Sequence, residues 1–432
     1  MLVGFMCVLA GCRIGFDELA RGGDGSDPTG DGGWSGDALK LAPTVLLAAG
    51  DAHTCVITAA GAVRCWGDNA YGQLGYGSVT RIGDNEPPST AGDVSLGGVP
   101  VQIVAGGAHT CALLENGAVR CWGDSMYGQL GYGNTTRIGD DETPASAGDV
   151  NVGLPAIQIA IGVAHSCVVT VTGGVRCWGD SMYGQLGYGN KLVIGDDETP
   201  ASVGDVDLGG TATAVAVGTA HTCALMSTGA VRCWGDNMYG QLGYGVATTI
   251  GDDEAPATAG DVPLGGTAIA IAADEVHTCA VMSTGAVRCW GDNMFGQLGY
   301  GNTTRRGDDE PASAAGDVPL GGIAQEISVG IAHSCARLDT GAMRCWGDGF
   351  YGQLGYGSTT IIGDTEPASA GGDVPVGGTV MQISAGLEHT CARLTTGAVR
   401  CWGNGMFGRL GYANTQTIGD NEPASSAGDV MF

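Results

Sequence analysis

Histidine and cysteine are the residues in this chain best equipped for chemistry, and both recur at fixed spacing. The seven histidines, His53, His109, His165, His221, His277, His333 and His389, stand 56 residues apart. Fourteen of the 16 cysteines form pairs ten residues apart: Cys55 and Cys65, Cys111 and Cys121, Cys167 and Cys177, Cys223 and Cys233, Cys279 and Cys289, Cys335 and Cys345, Cys391 and Cys401. Reduced, these would offer zinc two thiolates and an imidazole per unit, with a fourth ligand still to find. Oxidised, they make seven disulfides, and such regular pairing favours that framework and an oxidising compartment. Seven copies of one histidine cannot converge on one centre, so a hydrogen-bonded structural role is expected for each. No unrepeated Ser, Cys, His or Asp is picked out as a nucleophile or base, and the expectation is a protein that is not an enzyme.

The elements that must position these residues follow from the same unit. In the second copy Val101-Gln102-Ile103-Val104-Ala105 reads as a strand, His-Thr-Cys opens another, and Gly-Ala-Val-Arg-Cys-Trp-Gly forms a third. A three-residue loop Glu115-Asn116-Gly117, with Gly117 left-handed, sets Cys111 opposite Cys121, whereas a two-residue loop would oppose Cys111 to Trp122. Alternation then puts His109, Cys111, Leu113, Val119 and Cys121 on one face, and Thr110, Ala112, Leu114, Arg120 and Trp122 on the other. A fourth strand is expected near the valine of Gly-Asp-Val. Four strands in each of seven gapless 56-residue units describe an all-β, seven-bladed β-propeller over residues 39–432, closed when the terminal Gly428-Asp429-Val430 completes the first blade.

Composition narrows the partners. A net charge of -27 with only 18 Lys and Arg argues against nucleic acid, whose binding rests on cationic side chains displacing counterions. The 80 glycines fall at fixed places in each unit and mark turns rather than disorder.

Residues 1–11 are apolar and end at Leu9-Ala10-Gly11-Cys12, which resembles the lipobox of a bacterial lipoprotein signal. That resemblance implies acylation of Cys12, membrane contact only through a lipid anchor, and a place in the cell envelope outside the cytoplasm. No Lys or Arg precedes the apolar stretch, and the alternative is an apolar terminus tucked onto the domain. Residues 12–38, rich in Gly, Asp and Ser, are read as a flexible tether, with a calcium loop as the sharper alternative.

The motifs HTCALL, GAVRCWGD and MYGQLGYG resemble the repeats of the regulator of chromosome condensation family. The resemblance implies a seven-bladed propeller and carries over the His-Thr step, the Gln-Leu-Gly turn, and the Trp-Gly step at Trp66, Trp122, Trp178, Trp234, Trp290, Trp346 and Trp402 as structural positions. It implies little about function, since such propellers serve a nucleotide exchange factor, a light receptor and a secreted inhibitor alike.

The arginine of Arg-Cys-Trp is expected to stack on its tryptophan and pair with a carboxylate between blades. The acidic step Asp140-Asp141-Glu142 and its counterparts are read as turn residues rather than calcium ligands, so no cofactor is expected. Copies differ most in the loop after Gly-Tyr-Gly, which gives a candidate binding rim of Arg81, Arg137, Lys191, Leu192, Arg305, Arg306, Ile361 and Gln416, against neutral drift of exposed loops. The Met-aromatic step, as at Met126-Tyr127 and Met238-Tyr239, is a second candidate. The reading is a monomeric, lipid-anchored scaffold binding an unknown protein partner. The alternatives are an intracellular nucleotide-exchange regulator and a glycan-binding or glycan-active propeller.

Overall fold

The three-residue turn sets the register of every blade. In the second, Leu114 N–H donates to Ala118 O at 2.9 Å, and Gly117 supplies the left-handed backbone at φ 81°. Cys111 therefore lies opposite Cys121 and Thr110 opposite Trp122. The computed structural model describes residues 46–432, so the expected leader, Cys12, the tether and Val45 lie outside the described residues.

Seven antiparallel sheets follow in chain order, each an inner, a middle and an outer strand. In the second blade these are Pro100–Ala105, His109–Leu114 and Val119–Gly123. Seven disulfides join middle to outer strands, and all fourteen sulfurs are fully buried. The inner strands surround an axial cavity of about 270 Å³, lined by Leu47, Ile103, Ile159, Val215, Ile327 and Ile383 among others.

The expected fourth strand is absent among the described residues. The Gly-Asp-Val segment touches its own outer strand through a single bridge, Val63 with Val94 in the first blade. Prolines such as Pro87 and Pro88, and left-handed glycines at Gly83 and Gly92, keep the intervening chain out of a ladder.

Ring closure also differs from expectation. Val430 N–H donates to Val399 O at 2.8 Å, so the terminal Gly-Asp-Val finishes the seventh blade, not the first. Closure is made by side chains and backbone together: Gln382 Oε1 accepts from Leu46 N–H at 3.1 Å, Ser384 Oγ from Ala49 N–H at 2.8 Å, Met431 O from Ser89 N–H at 3.1 Å, and Phe432 stacks on Trp66 with centroids 6.1 Å apart.

Candidate functional site

The seven histidines form a closed ring of inter-blade hydrogen bonds. Each Nε2 meets the Ser or Thr hydroxyl after the next histidine, from His53 with Thr110 at 2.7 Å round to His389 with Thr54 at 2.9 Å. Thr110 Oγ1 spends its one hydrogen on Gln73 O at 2.8 Å, so His53 Nε2 carries the proton and donates. Trp122 Nε1–H donates to the same carbonyl at 2.9 Å. One Gln-Leu-Gly turn thus holds the hydroxyl and the indole of the following blade, and the motif residues are bolts of the junctions.

Burial pushes the imidazoles down, His53 to about 4 and His109 to about 3, which keeps them neutral. With the sulfurs oxidised, the face shared by His109, Cys111 and Cys121 has no thiolate for a metal.

The arginine of Arg-Cys-Trp is placed differently from expectation. Arg120 Nε donates to Asp149 Oδ1 at 2.8 Å, and its Nη1 to the carbonyl of Leu96 where the chain leaves the preceding blade. It does not stack on Trp122, whose indole belongs to the junction. Asp149 remains 49% exposed, so loss of Arg120 strands no buried acid and the cost falls toward that of a surface pair.

Five of the eight candidate rim residues are engaged within the fold. Arg81 pairs with Asp68 at 2.8 Å and lies over the Phe407 ring, and Arg137 pairs with Asp124 at 3.5 Å over Tyr71. Arg305 pairs with Asp292 at 2.9 Å over Tyr239, Lys191 with Asp252 at 3.1 Å, and Arg306 with Glu310 at 2.9 Å. Leu192 is 66% exposed, Gln416 is exposed and Ile361 is half-buried. In four units the acidic step brings one carboxylate oxygen from each residue within 4.8 Å, at Asp140-Asp141-Glu142, Asp196-Asp197-Glu198, Asp252-Asp253-Glu254 and Asp308-Asp309-Glu310, a closer convergence than adjacent carboxylates led us to expect.

Unrepeated residues do occur, contrary to the sequence reading, and they gather at one axial mouth. The Gly-x-x-His step becomes Gly50-Asp51-Ala52-His53 in the first unit, Asp274-Glu275-Val276-His277 in the fifth and Gly386-Leu387-Glu388-His389 in the seventh. Asp51 and Asp274 line one cavity of about 110 Å³. Burial in that narrow mouth pushes Asp51 up to about 6, with Arg409 opposing the rise, and pushes Asp274 up to about 8, with Asp51 adding to it. Glycine is usual there because backbones touch: a Cβ on Gly106 would run into the carbonyl of Gly162. Arg409, where other units have glutamine, donates to Asp51 O at 2.9 Å and approaches Glu388 at 3.7 Å. Unit-by-unit comparison of the Gly-x-x-His step would have found these residues.

The model of the RCC1-like domain matches residues 93–427, and single RCC1 repeats match 45–73 and 60–113. The chain belongs to the RCC1-like domain family. The ultraviolet-B receptor UVR8 of Arabidopsis thaliana is 30% identical over 86% of this chain and 79% of its own length. The human E3 ubiquitin-protein ligase HERC2 is 28% identical over 83% of this chain, which spans only 7% of the ligase. Human WBSCR16 shares the fold at a TM-score of 0.65 and 22% identity, covering 82% of this chain and 87% of that one. Prp20p of Saccharomyces cerevisiae, a protein with described binding properties to Gsp1p and histones, superposes at a TM-score of 0.61 with 21% identity, covering 80% and 81%. For this RCC1-like propeller, the hydrogen-bonded ring explains why the His-Thr, Trp-Gly and Gln-Leu-Gly steps travel together.

Proposed function

We propose that this RCC1-like propeller is an exported scaffold, lipid-anchored through Cys12 at the cell envelope, that binds a protein partner without catalysis. Residues 1–11 would be the signal, 12–38 the tether and 39–432 the binding domain. The observation that carries the proposal is the set of seven buried disulfides, one per blade, which a reducing cytosol would not maintain. Protein binding is supported by the exposed Met and aromatic side chains on the loops after Trp-Gly, and nucleic acid is disfavoured by the charge of -27. No resident ion or cofactor is proposed. Alkylation of free thiols in intact cells with a membrane-permeant reagent should leave the repeat cysteines unlabelled, and the Cys12→Ser precursor should leave the membrane fraction. Labelling of most of the fourteen would make the intracellular exchange regulator the better reading, and proximity labelling on cells that marks no protein neighbour would remove the scaffold role.

A further inference from the structure

Three blade junctions contain a cation seat that the chain fills with its own arginine, and three more carry the same two wall residues without the arginine. The seat has two walls, the aromatic ring that precedes Gly-Gln-Leu-Gly, or Gly-Arg-Leu-Gly in the seventh unit, in one blade and the Trp-Gly-Asp carboxylate of the next. Arg137 lies over Tyr71 at 4.7 Å with its Nε on Asp124, Arg81 over Phe407 at 4.6 Å with its Nε on Asp68, and Arg305 over Tyr239 at 4.6 Å with its Nε on Asp292. The positions equivalent to Arg137 in units three, four and six hold Val193, Thr249 and Ile361.

The wall residue types are kept at those junctions. They are Tyr127 with Asp180, Tyr183 with Asp236, and Phe295 with Asp348. Each carboxylate keeps one oxygen on the amide of its own blade's glutamine, Asp180 on Gln185 at 2.9 Å, Asp236 on Gln241 at 2.9 Å and Asp348 on Gln353 at 3.0 Å. The same type of glutamine fixes each ring's backbone, as Gln129 Oε1 accepts from Tyr127 N–H at 2.8 Å. Among the described residues, no Lys or Arg reaches Asp180, Asp236 or Asp348, whose other oxygen accepts only a backbone N–H, from Met182 at 3.2 Å, Met238 at 3.4 Å and Phe350 at 3.1 Å, whereas the corresponding oxygen of Asp68, Asp124 and Asp292 carries an arginine Nε. At the remaining junction Asn404 replaces the acid, so Tyr351 has no carboxylate partner.

We propose that the three unfilled seats receive arginine side chains of a partner protein, bound across the face that carries the axial mouth. This rests on the scaffold reading above. The seats lie on that face because Asp124 N–H donates to Ala108 O at 2.9 Å, which joins the Trp-Gly-Asp step to the axial Gly-x-x-His loop. Met126, Met182, Met238, Met294 and Phe350, each 60% to 66% exposed, stand beside the seats and would cover the stems of the incoming side chains. Guanidinium suits the seat better than ammonium, since it stacks on a ring face while its edge donates to a carboxylate. A second copy of this chain is a poor occupant, because two surfaces drawn from a molecule of charge -27 repel.

The test fills the seats from within. Val193→Arg, Thr249→Arg and Ile361→Arg together should repeat the arrangement of Arg137, and the control Thr228→Arg, Thr284→Arg and Thr340→Arg places equal charge on the exposed hairpin turns. Capped hexa-arginine and hexa-lysine peptides are titrated by calorimetry at about 0.15 M salt. Hexa-arginine should bind the wild type severalfold more tightly than hexa-lysine, lose about tenfold on seat filling, and change less than about twofold in the control. Equal loss in both variants, no loss in either, or equal binding of the two peptides would overturn the proposal. Absence of hexa-arginine binding to the wild type would also overturn it while leaving the scaffold reading intact, which proximity labelling decides separately. A wild-type dimer in light scattering that seat filling dissolves would assign the seats to a second copy and overturn the foreign partner. Should the filled variant fail to fold, Asp180→Asn, Asp236→Asn and Asp348→Asn together carry the same expectation.

Discussion

The junctions between blades and the face around the axial mouth are built from the same seven copies, yet they tolerate change differently. At the junctions the histidine, the hydroxyl and the indole are present in all seven blades, because histidine and hydroxyl bond each other across the junction and the hydroxyl and indole share a backbone carbonyl of the preceding blade. One substitution there would leave a buried donor or acceptor unpaired at about 1–3 kcal/mol. Even Arg409, which replaces a glutamine, keeps the junction by offering its carbonyl to Thr54 and Trp66, both at 2.9 Å. On the face, departures such as Asp51, Asp274 and Glu388 break no ring, and they bring carboxylates into a narrow mouth. The repeat therefore records the scaffold, and its exceptions record where the molecule has become unlike itself.

The largest effect should come from removing the cross-strand bonds that stiffen each blade behind its junction. Each joins cysteines ten residues apart, and the chain-entropy model gives about 2.8 kcal/mol for such a loop. Seven do not add simply, but even half their sum rivals the 5–15 kcal/mol that stabilises an ordinary domain. Urea titration with and without a phosphine reductant should show the reduced protein unfolding at far lower urea, and superimposable curves would remove the disulfides from the fold's stability.

Acid should come next, and it tests the junction lattice through its imidazoles. Folded values of about 3 to 4 lie below the unfolded 6.5, so the unfolded chain binds more protons in between, and stability falls as pH falls from 6.5 toward 4. At pH 5 each histidine costs about 2 kcal/mol. The buried acids run the opposite way, since burial raises Asp51, Asp274, Glu275 and Glu326 and their burden lightens as they protonate, but they are four against seven. Cooperative unfolding between pH 4 and 5, followed by circular dichroism, is expected. A melting temperature level from pH 7 to pH 4.5 would contradict the neutral, buried ring.

The lattice was largely legible in the sequence and the face was not, for a physical reason. Cys111 and Cys121 meet across a three-residue turn, so local spacing settles their register. A cation seat joins Arg137 to Tyr71 across a junction 66 residues away in the chain, and no local pattern announces it. The expected fourth strand failed because apolar Val94 carried the strand signal while Pro87, Pro88 and the left-handed glycines around them carried the stronger veto. The arginine of Arg-Cys-Trp was given a carboxylate correctly, and the Asp149 side of Gly-Asp-Val supplied it, but the indole it was to stack on was already committed to Gln73.

Asp274 gives a smaller effect of opposite sign. A group raised to about 8 from 3.8 destabilises the fold increasingly as pH rises through that interval, so Asp274→Gly, which restores the residue of six other units, should stabilise the protein at pH 7 and lose its advantage near pH 4. About 1–3 kcal/mol is expected once the extra freedom of an unfolded glycine is subtracted. Denaturant titration at both pH values checks it. A destabilised variant at pH 7 would mean that Asp274 has structural partners beyond the backbone N–H of Glu275, which it accepts at 2.8 Å.

The smallest effect separates a departure that engages the fold from one that is only tolerated, and both lie in the seventh unit. Arg409 reaches Asp51 and Glu388, whereas four residues later Ala413 occupies the third position of Gly-Tyr-Gly, where the other units have glycine. That position is left-handed, with Gly77 at φ 67° and Gly133 at φ 70°, and Ala413 is held there at φ 58°. A Cβ has room, since at Gly77 its nearest neighbour would be Glu142 backbone at 3.5 Å, so the penalty is conformational rather than a clash. Left-handed backbone costs an L-residue about 1–2 kcal/mol, and glycine returns about half of that as unfolded-state entropy. Ala413→Gly should therefore gain about 0.5–1 kcal/mol in thermal denaturation and leave hexa-arginine binding unchanged. A gain in stability accompanied by a loss of peptide affinity would mean that the strained alanine shapes the binding face, and the seventh unit would then carry two functional departures instead of one.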